Sequence, residues 1–180
     1  MKGVIFNVLE EMVIKKCGMQ VWNEILYTQN LDGIYTAGES YPDSELFALV
    51  TEISSQTKIP AEELVGSYGE FLFAQLAERY PLFLENKPDL RGFLKSVDSV
   101  IHIEVKKLYS NPSLPKFEYE DLPDGRLLMR YHSPRKLCIL AEGLIRGASS
   151  TYHTPINIEH KICCHKGDPH CDLIIGFPDE

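Results

Sequence analysis

The chain has 180 residues with 44% apolar content, and its 18 Lys plus Arg against 26 Asp plus Glu give a formal charge of −8. That composition is the profile of a folded globular chain, and the acidic balance repels phosphate backbones and anionic lipid, so no nucleic acid is expected as a partner. No charge-free apolar run approaches the roughly 20 residues that span a bilayer, and Glu10-Glu11 ends the first apolar stretch before it reaches signal-peptide length, so a cytoplasmic chain with no membrane partner is expected.

The N-terminal segment places Val4, Val8, Met12 and Val13 at helical spacing and continues through Val21, Ile25 and Leu26, which predicts one or two amphipathic helices before a polar break from Asn30 to Gly38. A further helix is predicted from Asp43 to Thr57. Pro60-Ala61-Glu62-Glu63 opens the next with a proline in its first turn and acids at its positive end, and it runs to Tyr80 before Pro81. From Pro88-Asp89-Leu90 the residues Leu94, Val97, Ile101, Val105 and Leu108 recur every three to four positions until Asn111-Pro112 stops the pattern.

The periodicity then changes. Phe117-Glu118-Tyr119-Glu120 alternates, Leu122-Pro123-Asp124-Gly125 is a turn, and Arg126 to Tyr131 returns as the second arm of a hairpin. Helical spacing resumes from Arg135 to Arg146, with Gly147 and Ser149-Ser150 expected to close that helix. Strands are predicted over Ile156 to Cys163 and His170 to Phe177, joined by a turn at His165-Lys166-Gly167-Asp168-Pro169. The expected fold class is α+β, a helical N-terminal part packed on a C-terminal part of helices and a small antiparallel sheet.

Five cysteines, Cys17, Cys138, Cys163, Cys164 and Cys171, make an odd number without an export signal, which argues against a disulfide framework. The densest group of metal-binding residue types is the tail, where His160, Cys163, Cys164, His165, His170 and Cys171 fall in one hairpin. Zinc takes four soft or borderline donors, and His160, Cys163 and Cys171 with Cys138 from the preceding helix are the expected set. On this reading Cys163 and Cys171 face each other across the turn and Cys164 points to the opposite side. Unliganded thiols in a small sheet core give the same pattern.

In Tyr131-His132-Ser133-Pro134-Arg135 alternation puts Tyr131, Ser133 and Arg135 on one side, two hydroxyls and a guanidinium fork with no carboxylate among them. That trio suits a bound carboxylate, although surface residues ending a hairpin read the same way. His102 lies at the margin of the apolar stripe of its helix, the place of a ligand or of a hydrogen-bonded structural histidine.

Ser99-Val100-Ile101-His102-Ile103-Glu104-Val105, then Tyr109 with Asn111-Pro112 and Pro115-Lys116-Phe117, then Tyr131-x-Ser133-x-Arg135, resembles the haem-nitric oxide/oxygen binding family, the H-NOX domains, in the form of the stand-alone bacterial type. The resemblance extends from Met1 to Phe177 and implies a single H-NOX domain over residues 1–180, with a helical part over about 1–64, a haem-ligating α/β part over about 65–180 and haem b between them. It makes His102 the axial ligand of the iron, gives Tyr131, Ser133 and Arg135 to the propionates, and sets Pro115 against the macrocycle to distort it. Ile5, Leu9, Leu72, Phe73, Leu76, Leu140 and Leu144 are then expected to line the distal pocket. Members of the family that hold dioxygen use a distal tyrosine, and Leu140 stands at the matching position.

The resemblance implies a gas sensor rather than an enzyme. Such a sensor binds NO and CO, excludes dioxygen, and passes its signal to a histidine kinase or a diguanylate cyclase as NO loosens the hold of His102. Neither Tyr68 nor Tyr152 overturns that gas preference unless the fold brings it into the pocket. The cysteine-rich tail resembles a subset of the family in which such a cluster binds zinc. Two rival readings remain from the residues themselves. Gly167-Asp168-x-x-Cys171 also looks like the end of a haem-free small-ligand or interaction domain of the vinyl-reductase type, and Cys163 or Cys164 offers a nucleophile for a Cys/His enzyme. Neither accounts for the Tyr131, Ser133, Arg135 triplet.

Overall fold

The computed structural model describes residues 1–85, 87–108 and 112–178. Two helices fill the first segment, α1 (Gly3–Cys17) and α2 (Met19–Gln29), separated by Gly18 at φ 92°, a conformation that glycine adopts without strain. The stripe read from the sequence is buried: Val4, Val8, Met12 and Val13 of α1 pack with Trp22 and Ile25 of α2. Helix α3 (Asp43–Thr57) adds Leu46, Leu49 and Ile53 to this front core.

Helix α4 (Ala61–Arg79) belongs to both halves of the molecule. Its Leu64, Tyr68 and Leu72 sit in the front core, whereas Phe73 packs in the rear one. It crosses helix α7 (Cys138–Tyr152) through glycines: a Cβ on Gly69 would lie 2.7 Å from the Leu140 carbonyl oxygen, and one on Gly143 would collide with the carbonyl of Gly66. The backbones meet because no side chain holds them apart. Gly143→Ala should therefore destabilise the protein by about 1–3 kcal/mol through overpacking, a fall in Tm of about 2–4 °C per kcal/mol at this chain length; an unchanged melting curve would show that the seam tolerates a methyl group.

The rear core is built from α5 (Leu90–Ser96), α7 and a four-stranded antiparallel sheet in the order β1-β2-β4-β3, while α6 (His102–Leu108) lends His102 and Val105 to the cavity beside it. Its strands are β1 (Lys116–Asp121), β2 (Leu127–His132), β3 (Asn157–Ile162) and β4 (Cys171–Gly176). The predicted hairpin is β1 and β2, paired from Lys116 with His132 to Asp121 with Leu127. The α+β class stands as expected, and among the described residues no helix is long and apolar enough to cross a membrane.

Three local readings are corrected. The helix expected to run unbroken from Pro88 is two helices joined by a five-residue π-helical turn, Val97–Ile101; its expected end at Tyr109 and Asn111 lies outside the described residues. Helix α7 does not stop at Gly147 but continues to Tyr152, because Gly147 is where Phe73 approaches, with a Cβ there only 2.6 Å from that of Phe73. Ser150 donates its hydroxyl to the Arg146 carbonyl four residues back, so it sits within the helix rather than ending it. The terminal strands are shorter than predicted, because Cys163 already leads into a 3₁₀ turn over Cys164–Lys166.

Candidate functional site

A cavity of about 630 Å³ is lined from both cores. Helix α1 contributes Ile5 and α4 contributes Leu72, Phe73 and Leu76, while α7 supplies Leu140 and Leu144. One helical turn beyond Ile5, Leu9 is fully buried in the front core and takes no part in the lining, contrary to expectation. Tyr68 is also outside the lining and donates its hydroxyl to the Ile5 carbonyl at 2.5 Å, and Tyr152 packs on the ring of Phe93. Tyr80, at the end of α4, does line the cavity.

His102 lines the cavity directly after the π-helical turn. Its Nδ1 faces Oδ1 of Asp98 at 3.4 Å, and that same oxygen accepts the Phe117 N–H at 3.2 Å. Burial pulls the imidazole below its ordinary pKa and outweighs the opposing pull of Asp98, so the ring is neutral at physiological pH. A neutral imidazole with its Nδ1–H turned to a carboxylate keeps its lone pair at Nε2. Sequence reasoning does not single out Asp98, although its spacing of four residues from His102 on a helix is visible there.

Tyr131, Ser133 and Arg135 share the cavity with His102, as does Pro115. Arg135 donates from Nε to Asp43 at 2.6 Å and from Nη1 to the Ser113 carbonyl, which engages two of its five donors. The Tyr131 hydroxyl accepts the Leu137 N–H at 3.0 Å, and the Ser133 hydroxyl accepts the Arg135 N–H at 3.2 Å. Burial raises the pKa of Asp43, but hydrogen bonds from Arg135 and the Met1 ammonium outweigh it and hold the carboxyl below its usual range. Apolar walls, one imidazole, and a guanidinium with two hydroxyls fit a flat apolar macrocycle that carries a metal and two carboxylates.

A second cluster lies on the other side of α7. The donor atoms of Cys138, His160, Cys163 and Cys171 all lie within 4.8 Å of one another. The Cys138 and Cys163 sulfurs are 3.9 Å apart, and Nε2 of His160 is buried without a hydrogen-bond partner. An orphaned ring nitrogen beside three thiols is the donor chemistry of a zinc site. In the absence of a cation, burial pushes the Cys171 thiol up to about 12 and drives Cys138 upward as well.

Cys164 departs from the expected orientation: its sulfur lies 3.2 Å from that of Cys171, because the chain leaves the strand before this residue and strict alternation no longer holds. Cys164 and His165 form a second group with Cys138, its donors also within 4.8 Å. Cys17 is exposed at the end of α1.

A family profile described as haem-NO-binding matches residues 2–160. An H-NOX protein from S. oneidensis, solved in the Fe(II)NO ligation state, superposes with a TM-score of 0.94 at 42% identity, over 98% of this chain and 99% of that one. An H-NOX from Shewanella woodyi superposes with a TM-score of 0.87 at 31% identity, over 98% of this chain and 94% of its own. A soluble guanylate cyclase of Caenorhabditis elegans is 31% identical over 156 residues, 81% of this chain. The chain spans 22% of the length of that cyclase.

Proposed function

The chain belongs to the haem-NO-binding family, and from that membership we propose that it is a haem-based gas sensor. On this reading it takes NO and CO at ferrous haem b, excludes dioxygen and regulates a partner signalling protein such as a histidine kinase or a diguanylate cyclase. The observation that carries the reading is the cavity itself, which His102 and the Tyr131, Ser133, Arg135 triplet line together.

Haem, when bound, supplies a ferrous iron with one position open to a diatomic gas. His102 is the residue that holds it, through Nε2, while Asp98 keeps the Nδ1 proton in place and steadies the ring. Tyr131, Ser133 and Arg135 hold the two propionates, and Arg135 then shares its fork between them and Asp43. Pro115, which lines the same cavity, would bear on the macrocycle. Ile5, Leu72, Leu140 and Leu144 face the gas with methyl groups alone, so this wall offers no hydrogen bond to a partly anionic ligand such as dioxygen.

Purified from haem-replete cells and reduced, the protein should show a Soret band that moves on addition of NO or CO, and should form no ferrous dioxygen adduct on exposure to air. A colourless chain that refuses added hemin would end this reading, and a durable dioxygen adduct in air would end its gas preference.

The reading extends to a structural zinc ion held by Cys138, His160, Cys163 and Cys171, supported by the convergence of their donor atoms and the unpaired Nε2. Elemental analysis should return one zinc per chain.

A further inference from the structure

We infer that Glu142 is a positioning residue that fixes His160 as an Nε2 donor toward the three thiols, tying the metal cluster to the helix that walls the gas cavity. The inference rests on the zinc reading and assigns a residue that the reading leaves unused.

Glu142 and His160 are both largely sheltered, with 15% and 17% of their side chains exposed. Oε1 of Glu142 lies 2.6 Å from Nδ1 of His160, and its other oxygen is held by Nη2 of Arg146 at 3.1 Å, one turn further along α7. An ionised carboxylate only accepts hydrogen bonds, so the neutral imidazole carries its proton on Nδ1. The lone pair is thereby confined to Nε2, the atom that is buried and unpaired. The arrangement of carboxylate, imidazole and an electrophilic centre is the one by which metal-bound histidines are oriented.

The same helix explains the coupling. Cys138 and Glu142 are four residues apart and share one face of α7; Leu140 and Leu144 are likewise four apart and lie about half a turn round, on the cavity side. Glu142 is thus the one charged residue of this helix that touches the cluster through a ligand while its neighbours in sequence wall the cavity.

The test compares the full-length protein with Glu142→Ala, Glu142→Gln and His160→Ala, titrated with zinc against a chromogenic chelator. Glu142→Ala should weaken zinc binding about 10–100-fold. His160→Ala should weaken it at least as much, and Glu142→Gln, whose amide oxygen accepts the same Nδ1–H less strongly, should fall in between. Nitrogen NMR of the metal-free chain should show His160 with its proton on Nδ1 in the wild type and in Glu142→Gln, and a mixture of tautomers in Glu142→Ala. A loss of packing alone would not move the tautomer. Wild-type zinc affinity and an unmoved tautomer in Glu142→Ala would remove Glu142 from this role and leave the zinc site standing. A wild-type chain that does not retain zinc would overturn the zinc reading and the inference together. Should the alanine variant fail to fold, Glu142→Met, which fills similar space without a strong acceptor, decides in its place, since wild-type zinc affinity and an unmoved tautomer in that variant also overturn the role.

Discussion

The His102→Ala protein should fold, emerge from purification with most of its Soret absorbance missing, and recover the band when free imidazole is supplied. His102 is the one histidine that lines the cavity among the described residues, so no neighbouring imidazole substitutes for it. Any ligand bond worth more than about 1.4 kcal/mol makes the loss of haem retention exceed tenfold. Folding should survive, because the side chain contributes a 3.4 Å contact to Asp98 and a tilted ring contact with Phe117, and Asp98 retains the Phe117 N–H. Added imidazole fits the space that the substitution opens. A variant that keeps full colour without imidazole would show that the iron is held by another residue, and the functional reading would have to be rebuilt around it.

Leu140→Tyr should give the opposite gain, a reduced protein that retains dioxygen in air. Leu140 lines the cavity from α7, is 7% exposed, and lies opposite no side-chain donor on the walls formed by Ile5 and Leu72. A hydroxyl placed there donates to a partly charged acceptor, an interaction of about 1.5–3 kcal/mol, which corresponds to roughly a 10–100-fold rise in dioxygen affinity. NO and CO depend far less on such a bond, so their affinities should move little. Spectra recorded in air after reduction decide the matter: if Leu140→Tyr behaves as the wild type does, the apolar wall is not what excludes dioxygen.

The sequence carries the elements well where one rule dominates. The stripe of α1, the bounds of α3, the β1–β2 hairpin and the alternation that puts Tyr131, Ser133 and Arg135 together are all legible, because each depends on neighbours within a few residues. What it hides depends on tertiary contact. Asp43 meets Arg135 across 92 positions, and no local pattern announces the pair. Glu142 reads as an exposed helix acid until His160 arrives from β3. Gly147 reads as a stop because a glycine that ends a helix and one that admits a neighbouring helix are the same letter. Leu9 shares its helical face with Ile5, yet the front core claims it first. Spacing suffices to bring Cys138, His160, Cys163 and Cys171 together, whereas the proximity of Cys164 to Cys171 requires the strand to end earlier than alternation allows.

One surplus residue sets the aim of the imidazole. Between Leu90 and Leu108 the backbone takes a single wide turn, Val97–Ile101, and then resumes ordinary winding at His102. Each residue of an α-helix advances about 100° around the axis, so in an unwidened helix of the same composition His102 would swing by about that angle, toward the flank where Val100 and Ile103 meet solvent. Spelling and winding therefore both matter in this stretch: a chain could keep every side chain of the cavity and, by closing that one wide turn to ordinary helical winding without losing a residue, carry His102 away from it.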